Sequence, residues 1–343
     1  MKKMLNTLYV QTQGAYLRLD HETLVMEVEN EKQKQMPLHP IASVVVIGNI
    51  MVSPHLIAKC ASEGRSFVFL DSRGRFQYRI QGPVSGNVLL RRAQHKCLDN
   101  QKSALSIARN MVAGKLQNAR QVLLRGARES DNENSTNALK AAASRHAESL
   151  NRLESVACFD EIRGLEGMAA SDYFGVLQNL IRVDDEHFRF NGRNRRPPRD
   201  PVNALLSYLY TLLRFECSSA LESVGLDPQI GFLHAIRPGR PALALDIMEE
   251  IRSPLADRLA LTLINRKQLN KGDFDYRTGG SVFLDETGRK TVITAWQERK
   301  NDEVTHPVLK KKIQWGLVPH VQAQILARHL RGDLEHYIPF LWR

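Results

Sequence analysis

The sequence contains few cysteines, and they are widely separated. Cys60, Cys97, Cys158 and Cys217 are the only four among 343 residues, and no two of them form a C-x-x-C pair. This spacing argues against both a zinc finger and a disulfide framework. We therefore expect reduced, mostly buried thiols, as in a cytoplasmic protein.

Long apolar runs are also missing. No segment approaches the roughly 20 apolar residues that a membrane-spanning helix needs. The first 20 residues include two lysines but lack the apolar core and the small-residue cleavage site of a secretion signal. The sequence therefore predicts a cytoplasmic protein that does not enter the membrane.

Positive charge is in excess. The chain has 48 Lys and Arg against 37 Asp and Glu, a net charge of +11 and a pI near 9.6. Such an excess favours a polyanionic partner, with nucleic acid first and an anionic membrane surface second. A generally basic, solvated surface would give the same totals, so composition alone leaves the partner open.

The period of the hydrophobic pattern changes near residue 85. Before this point apolar residues alternate with a period near two, as in strands, and after it they follow the period of helices. The segment QGPVSGN, residues 81–87, is rich in Gly, Pro and Ser and separates the two patterns. The sequence thus predicts an α+β protein with a small β-rich domain at 1–85 and a larger all-α domain at 86–343.

Within the larger domain, the helical pattern is interrupted at a few places. Asp200-Pro201 predicts the start of an apolar helix that ends at Gly225. The segment GSVFLDETGRKTVITAW, residues 280–296, predicts a lone hairpin. The longest Leu- and Ala-rich segments predict helices at 88–127, 135–162 and 165–182.

The segment GFLHAIRPGRPALALDIMEEIR, residues 231–252, combines many charges with residues typical of a core. Pro241 suits the first position of a helix, and Ser253-Pro254 suits the start of the next one, so the first should end near Arg252. Apolar residues occupy most of its circumference, which predicts a buried helix.

Three carboxylates, those of Asp246, Glu249 and Glu250, have the spacing i, i+3 and i+4 of one helix face. Like charges so close raise each other's pKa, and each loses about 0.3–1 kcal/mol at the negative end of a helix dipole. A divalent cation would remove both costs. Ion pairs with neighbouring arginines would also remove both costs, and residues 231–252 by themselves slightly favour this alternative. The candidate arginines are Arg237, Arg240 and Arg252.

Two further candidate ligands lie elsewhere. Glu166 stands among glycines and alanines in RGLEGMAASDYF, where small neighbours allow a close approach by a ligand. A glutamate that stabilises the first turn of a helix would look the same. His234 follows an apolar stretch, where a histidine is more often a hydrogen-bonded core residue than a ligand. Residue spacing therefore leaves the metal site open.

Together, several segments resemble the CRISPR-associated integrases, the metal-dependent DNA endonucleases that form the catalytic subunit of the spacer-acquisition complex. The pattern is Glu, then D-P-x-N-A-L-L-S-x-x-Y, G-F-x-H and D-x-x-[DE], and it extends along nearly the whole chain. Its details are most similar to the variants that accompany type I-C systems. The matching segments are RGLEGMAASDYF, DPVNALLSYLY, GLDPQIGFLH, RPALALDIMEEIR and VTHPVLKKKIQWGLVPHVQAQILARHLRG.

This resemblance implies that Glu166, His234 and Glu249 are catalytic residues and bind the metal. Glu249 stands where the family more often has Asp, and whether Asp246 or Glu250 also binds the metal stays open. An oxygen-rich set with one imidazole suits Mg²⁺ or Mn²⁺ better than zinc. The implied fold, a β-rich domain before an all-helical one, agrees with the change of period.

The resemblance also implies a reaction and partners. The 3′-hydroxyl of a captured DNA fragment attacks a phosphate at the leader–repeat boundary of a CRISPR array, which serves adaptive antiviral defence. With water as the nucleophile, the same site is a nuclease. The implied assembly is a homodimer formed through the N-terminal domains. It joins a small ferredoxin-like adaptation subunit, and related systems often add a separate processing nuclease.

Basic residues give candidate contacts to double-stranded DNA. The arginines near the acids, Arg237, Arg240 and Arg252, could hold the scissile phosphate or pair with the acids, and the two interpretations have equal support. Backbone contacts could come from a proline-rich loop and a lysine run, although a solvated loop is as well supported; these residues are Arg193, Arg195, Arg196, Lys310, Lys311 and Lys312.

Three other functions fit parts of the pattern. A non-catalytic DNA-binding protein would lock its acidic cluster in salt bridges. A metallohydrolase of small substrates fits the acids but not the basic excess. A structural subunit would use the acids for assembly.

Overall fold

The structure, a computed structural model, describes residues 7–29, 31–71, 76–80, 82 and 88–342. The chain divides into two compact units, Met1–Gly86 and Asn87–Arg343. The first is rich in strands and the second is largely helical, which confirms the predicted α+β class. Apart from residue 82, the predicted boundary segment 81–87 lies outside the described residues.

The described part of the first unit contains two four-stranded sheets and a helix. One sheet has the order β4-β3-β2-β6 and the other β1-β5-β7-β8. Leu56 and Cys60 of the helix share an apolar core with side chains from both sheets, such as Leu17 and Phe67. The elements are β1 Thr7–Val10, β2 Tyr16–Asp20, β3 Thr23–Val28, β4 Glu31–Pro37, β5 Ser43–Ile47, β6 Met51–Val52, α1 Pro54–Ser62, β7 Ser66–Leu70 and β8 Phe76–Ile80.

The second unit consists of packed helices and two short hairpins. Short 3₁₀ segments connect several of them. Its elements are α2 Val88–Asp99, α3 Gln101–Glu129, α4 Glu133–Leu153, α5 Phe159–Gly175, α6 Pro201–Ser223, α7 Ala242–Ile251, α8 Arg258–Asn265, β9 Phe274–Tyr276, β10 Val282–Leu284, α9 Glu286–Asn301, β11 Glu303–His306, β12 Lys311–Gln314 and α10 Val318–Leu330.

The predicted helix at 88–127 is in fact two helices. Asn100 ends the first and caps α3, because its side chain accepts a hydrogen bond from the Ser103 amide at 3.0 Å. The predicted helix at 165–182 begins earlier, at Phe159. By contrast, Asp200 caps α6 as expected and accepts from the Asn203 amide at 2.8 Å.

The predicted hairpin at 280–296 is wrong. Only Val282–Leu284 is a strand, and it pairs with the earlier strand β9. Asp285 then caps a helix by accepting from the Gly288 amide at 2.7 Å. Val292 and Trp296, four residues apart, are buried on that helix, so the local pattern has the period of a helix rather than of a strand.

The predicted buried helix around the acids is confirmed as α7, in which every residue except Leu245 is buried. It ends at Ile251, close to the expected point. The chain then continues through a π-helical turn, Arg252–Asp257, into α8. Pro254 lies in this turn and has no N–H to donate, which interrupts the α-helical hydrogen bonds without stopping the helix.

The four thiols are free, with Cys60 and Cys217 buried and Cys97 and Cys158 partly buried. Among the described residues, no helix is both long enough and apolar enough to cross a membrane.

Candidate metal centre

Close packing of α3 against α7 brings Lys115 near the acidic residues of α7. Gly114 of α3 has no side chain, and a Cβ there would lie 3.1 Å from Cγ of Glu250 and 2.9 Å from Cβ of Pro339. The next residue, Lys115, is buried with 5% of its surface exposed. The missing side chain at 114 therefore lets α3 carry a lysine into the neighbourhood of the acids on α7.

The Lys115 ammonium joins two of the predicted ligands. It forms an ion pair with Oε1 of Glu166, on α5, and its Nζ lies 2.7 Å from Oε2 of Glu249, on α7. The Glu166 side chain is 30% exposed and the Glu249 side chain only 7%. Two carboxylates that are 83 residues apart thus face the same small volume, one of them open to solvent.

Glu249 lies in a strongly positive environment. Burial by itself would raise its pKa, but the charges of Arg252, Lys115 and His234 lower it to about 2. Arg252 Nη1 donates to Oε1 at 3.2 Å. Oε2 is buried and accepts no well-aligned hydrogen bond, although the ammonium is close. The carboxylate is therefore charged at neutral pH, and the cation beside its Oε2 is the Lys115 ammonium.

Asp246 holds the third predicted ligand, His234. Its Oδ1 lies 2.7 Å from Nδ1 of His234 and accepts from the His234 amide at 3.0 Å. Its Oδ2 accepts from the amides of Phe232 at 2.6 Å and Leu233 at 3.0 Å. Because a carboxylate oxygen without a proton only accepts, Nδ1 donates in this contact, and Nε2 forms no hydrogen bond with any described residue. Carboxylate partners orient metal-binding histidines in this way.

The chain around His234 is fixed from two more sides. Gly231 passes against the same carboxylate, since a Cβ there would lie 2.7 Å from Oδ2 of Asp246. The fully buried Gln94 of α2 donates to the carbonyls of Asp227 at 2.8 Å and Ile230 at 2.9 Å, and accepts from the Asp227 amide at 2.9 Å. No local pattern in the sequence predicts this role of Gln94.

Glu250 has partners of a different kind. It is fully buried and accepts from Tyr337 at 2.6 Å, from the Phe340 amide at 2.7 Å and from Gln322 at 2.8 Å. Burial raises its pKa to about 8, although these hydrogen bonds lower it. Asp246, Glu249 and Glu250 therefore share a helix but have separate partners. Only Glu249 keeps an oxygen without a hydrogen bond.

A tyrosine lies beneath Arg252. The ring centroid of Tyr210 is 5.1 Å from the Arg252 guanidinium and 5.3 Å from that of Arg193. Its hydroxyl donates to Oδ1 of Asp257 at 2.6 Å. Burial raises the pKa of Asp257, whereas Arg252 and this hydrogen bond lower it. These contacts fix the side chain of Arg252, which in turn pairs with Glu249.

The other predicted basic residues differ in exposure. Arg193 is bound within the fold, because it donates to Asn203 at 2.6 Å and to Ser207 at 3.1 Å. Arg240 is partly exposed. The exposed ones are Arg195, Arg196, Arg237 and the three lysines of the β11–β12 hairpin, Lys310, Lys311 and Lys312.

Among the described residues, no three His, Cys, Asp or Glu side chains are already arranged as a metal-binding group. An ammonium lies between the two acids instead. The donor set nevertheless fits a hard divalent cation: two carboxylates, one with a buried oxygen lacking a hydrogen bond, and an imidazole whose Nε2 is free.

The sequence does carry a signal for Lys115. Met111, Val112 and Ala119, which stand at i−4, i−3 and i+4 from Lys115, are all buried on one face of α3. A lysine within such a stripe is almost never buried unless it is paired. Its position therefore predicts a buried acidic partner, although not which one.

The sequence profile of the family described as CRISPR associated protein Cas1 matches residues 8–298. A CRISPR-associated endonuclease Cas1 of Moorella thermoacetica is 54% identical over 343 residues, which is 100% of both chains. A casposase bound to integration product has a TM-score of 0.83 at 22% identity, covering 97% of this chain and 92% of that one. A Cas6-RT-Cas1–Cas2 complex also gives 0.83, at 23% identity, covering 100% of this chain and 36% of the longer one. At these identities the two structures show the fold alone.

Proposed function

Because the chain belongs to the Cas1 family of CRISPR-associated proteins and is a nuclease and integrase of that class, we propose that it inserts short DNA fragments into a CRISPR array. The proposed reaction is a transesterification: a fragment's 3′-hydroxyl attacks a phosphate at the leader–repeat boundary and forms a new phosphodiester bond. The original P–O3′ bond of the array strand breaks, and that strand leaves with a free 3′-hydroxyl. With water as the nucleophile, the same centre cuts DNA. Its Moorella relative is named an endonuclease, which supports the hydrolytic reaction.

One observation carries the proposal. Glu166 and Glu249, from two different helices, contact the same ammonium, and His234, whose charge acts on Glu249, has its Nδ1 held by Asp246. Carboxylates in ordinary structural ion pairs need no imidazole oriented in this manner. Burying Glu249 beside a second carboxylate costs free energy, and a divalent cation bound by the pair would offset that cost.

In the proposed centre, Glu166, Glu249 and His234 hold Mg²⁺ or Mn²⁺. The ion would lower the pKa of the attacking hydroxyl and neutralise charge on the phosphate oxygens. Asp246 keeps the His234 proton on Nδ1 and fixes the ring. Arg252, stacked on Tyr210, keeps the Glu249 carboxylate charged and oriented. Arg237 and Arg240 lie in the segment after His234, where they can bind phosphate oxygens.

Removal of divalent cations tests the proposed chemistry. We expect purified protein to nick supercoiled plasmid DNA in Mn²⁺ or Mg²⁺, and to lose this activity completely in excess EDTA, because the carboxylates alone cannot activate a hydroxyl. Activity should return when the metal is restored. Nicking that persists in EDTA would remove the metal from the mechanism.

A second function has an observation in its favour. Both acids of the centre form ion pairs, with Lys115 and Arg252, as expected for a DNA-binding protein whose acidic cluster is locked in salt bridges. Such a protein would bind DNA equally well with or without metal and would show no nicking. The EDTA experiment therefore separates the two functions.

Salt dependence tests the proposed DNA-binding loop. Arg195 and Arg196 are exposed, and each phosphate contact contributes about −0.9 to the slope of log K against log salt concentration. Replacing both by alanine should reduce the magnitude of the slope by about 2, as measured by fluorescence anisotropy with duplex DNA. Arg163→Ala and Arg328→Ala, made together, give a control with the same loss of charge. An unchanged slope in the Arg195 and Arg196 variant would exclude this loop from the interface.

The proposed assembly follows the family. The N-terminal domain, residues 1–85, would form a homodimer in the cytoplasm, and two homodimers would bind a small ferredoxin-like adaptation subunit. The similar fold within a complex that contains Cas2 supports such a partner. A separate processing nuclease and the type I-C assignment belong to the same proposal.

A further inference from the structure

We propose that Lys115 is an internal counterion that replaces the divalent cation when the centre holds none, and that its displacement sets the affinity of the centre for metal. This inference rests on the proposed metal-dependent function. It concerns a residue outside the predicted ligand set and makes a claim about metal affinity rather than about catalysis.

The position of the ammonium supports this role. Its nitrogen contacts an oxygen of Glu166 and lies 2.7 Å from Oε2 of Glu249. A magnesium ion shared by the same carboxylates would sit about 2.1 Å from their oxygens. The two cations therefore compete for one volume and cannot occupy it together.

The surrounding charges explain why a replacement is needed. Glu249 is buried and forms ion pairs with Lys115 and Arg252. Arg252 contacts its Oε1 only, at 3.2 Å. Without Lys115, Oε2 of Glu249 would have no cation beside it, and removing one partner of a buried ion pair is strongly destabilising. The lysine thus keeps both acids close together while no metal is bound.

The side chain is also suited to leave. A lysine carries one compact charge on a flexible four-carbon chain, whereas an arginine in a bidentate pair is held in a fixed geometry. The Glu166 side chain is 30% exposed, so the site is open to solvent on that side. Arg252, stacked on Tyr210, can remain in place when the ammonium moves.

Lys300 provides a matched control in the same unit. It is buried with 1% exposure and forms an ion pair with Glu216. No predicted metal ligand takes part in that pair. Lys300→Met and Lys115→Met therefore remove the same buried charge, in one case away from the centre and in the other within it.

The test measures Mn²⁺ affinity by calorimetry, and thermal unfolding of the full chain in EDTA and in saturating Mn²⁺. Lys115→Met should bind Mn²⁺ at least about tenfold more tightly than the wild type, because a competing unit charge is gone. In EDTA its Tm should be about 5–10 °C lower, and Mn²⁺ should recover most of this loss. Lys300→Met should lower the Tm equally in both conditions and leave Mn²⁺ affinity unchanged.

Other results would overturn the inference. Equal Tm losses for Lys115→Met in EDTA and in Mn²⁺, or unchanged Mn²⁺ affinity, would make Lys115 a structural residue. Lys115→Gln is a second variant; insolubility of both variants even when they are prepared in Mn²⁺ would mean that metal cannot replace the ammonium. If the wild type binds no Mn²⁺, the metal-dependent function itself fails. If the wild type binds Mn²⁺ and Lys115→Met binds it equally well, only the role proposed for Lys115 fails.

Discussion

Glu166→Gln is expected to reduce strand joining at least about a thousandfold, which corresponds to about 4 kcal/mol of transition-state stabilisation. Glutamine has nearly the same shape but no charge to hold a cation. Glu166 is only half-buried, and its amide replacement can still accept a hydrogen bond from Lys115. The fold and DNA binding should therefore persist. The measurement is a fragment-integration assay with the adaptation subunit, alongside anisotropy with duplex DNA, where affinity should change less than about twofold.

A second acid on the same helix provides the control. Asp160→Asn removes one charge from α5, but the Asp160 side chain is 92% exposed and pairs only with Arg163. We expect integration to stay at the wild-type level. If Glu166→Gln integrates fragments as well as this control does, Glu166 is not part of the reacting centre.

Asp246→Ala is expected to have the largest effect on stability. The Asp246 carboxylate is fully buried and accepts three backbone amides and the His234 ring N–H. Leaving these donors unpaired should lower the free energy of unfolding by about 3–5 kcal/mol. His234 should then lose its orientation, and Mn²⁺ affinity should fall about 10- to 100-fold. Chemical denaturation and calorimetry measure the two effects separately.

Two comparisons separate stability from metal binding. Asp273→Ala removes another buried aspartate, which accepts from the Asn270 amide at 2.8 Å, a hydrogen bond that involves none of the candidate ligands. This variant should destabilise the protein without changing Mn²⁺ affinity. Asp246→Asn keeps one accepting oxygen and should lie between the wild type and the alanine variant in both measurements. If Asp246→Ala binds Mn²⁺ normally, the carboxylate does not act through His234.

Local signals predicted much of the fold. The cap Asp200, followed by proline, marks the start of α6, and its side chain accepts the expected backbone amide. These signals succeed because a cap and its helix lie within a few residues of each other. The segment at 280–296 failed because it begins as a strand and becomes a helix after Asp285, so an averaged pattern hides the change.

The candidate site was harder to predict, because its parts meet only in the folded chain. The family pattern named Glu166, His234 and Glu249; in the structure Glu166 and Glu249 share the Lys115 ammonium, and the charge of His234 acts on Glu249. The pattern named Glu249 as the ligand but left open whether Glu250, which is adjacent in sequence, also binds the metal. In the structure Glu250 contacts Tyr337 and Phe340, about 90 residues further along the chain, and no local signal reports such a contact.

Lys115 illustrates a different limit. Its burial could be anticipated from the apolar face of α3, but its partners lie on two other helices. Gly114, which allows the approach of α7, is an ordinary glycine within a helix when the sequence alone is considered. The helix that contains Lys115 and Gly114 follows from the local sequence. The roles of the two residues depend on contacts with distant segments.

The position of bound metal tests the central claim most directly. Crystals soaked in Mn²⁺ should show, in anomalous difference maps, a peak bound by Glu166, Glu249 and Nε2 of His234, with the Lys115 ammonium displaced. Crystals of His234→Ala soaked in the same way should show a much weaker peak there. A fully occupied Mn²⁺ elsewhere on the protein, with Lys115 still between the two carboxylates, would contradict the account.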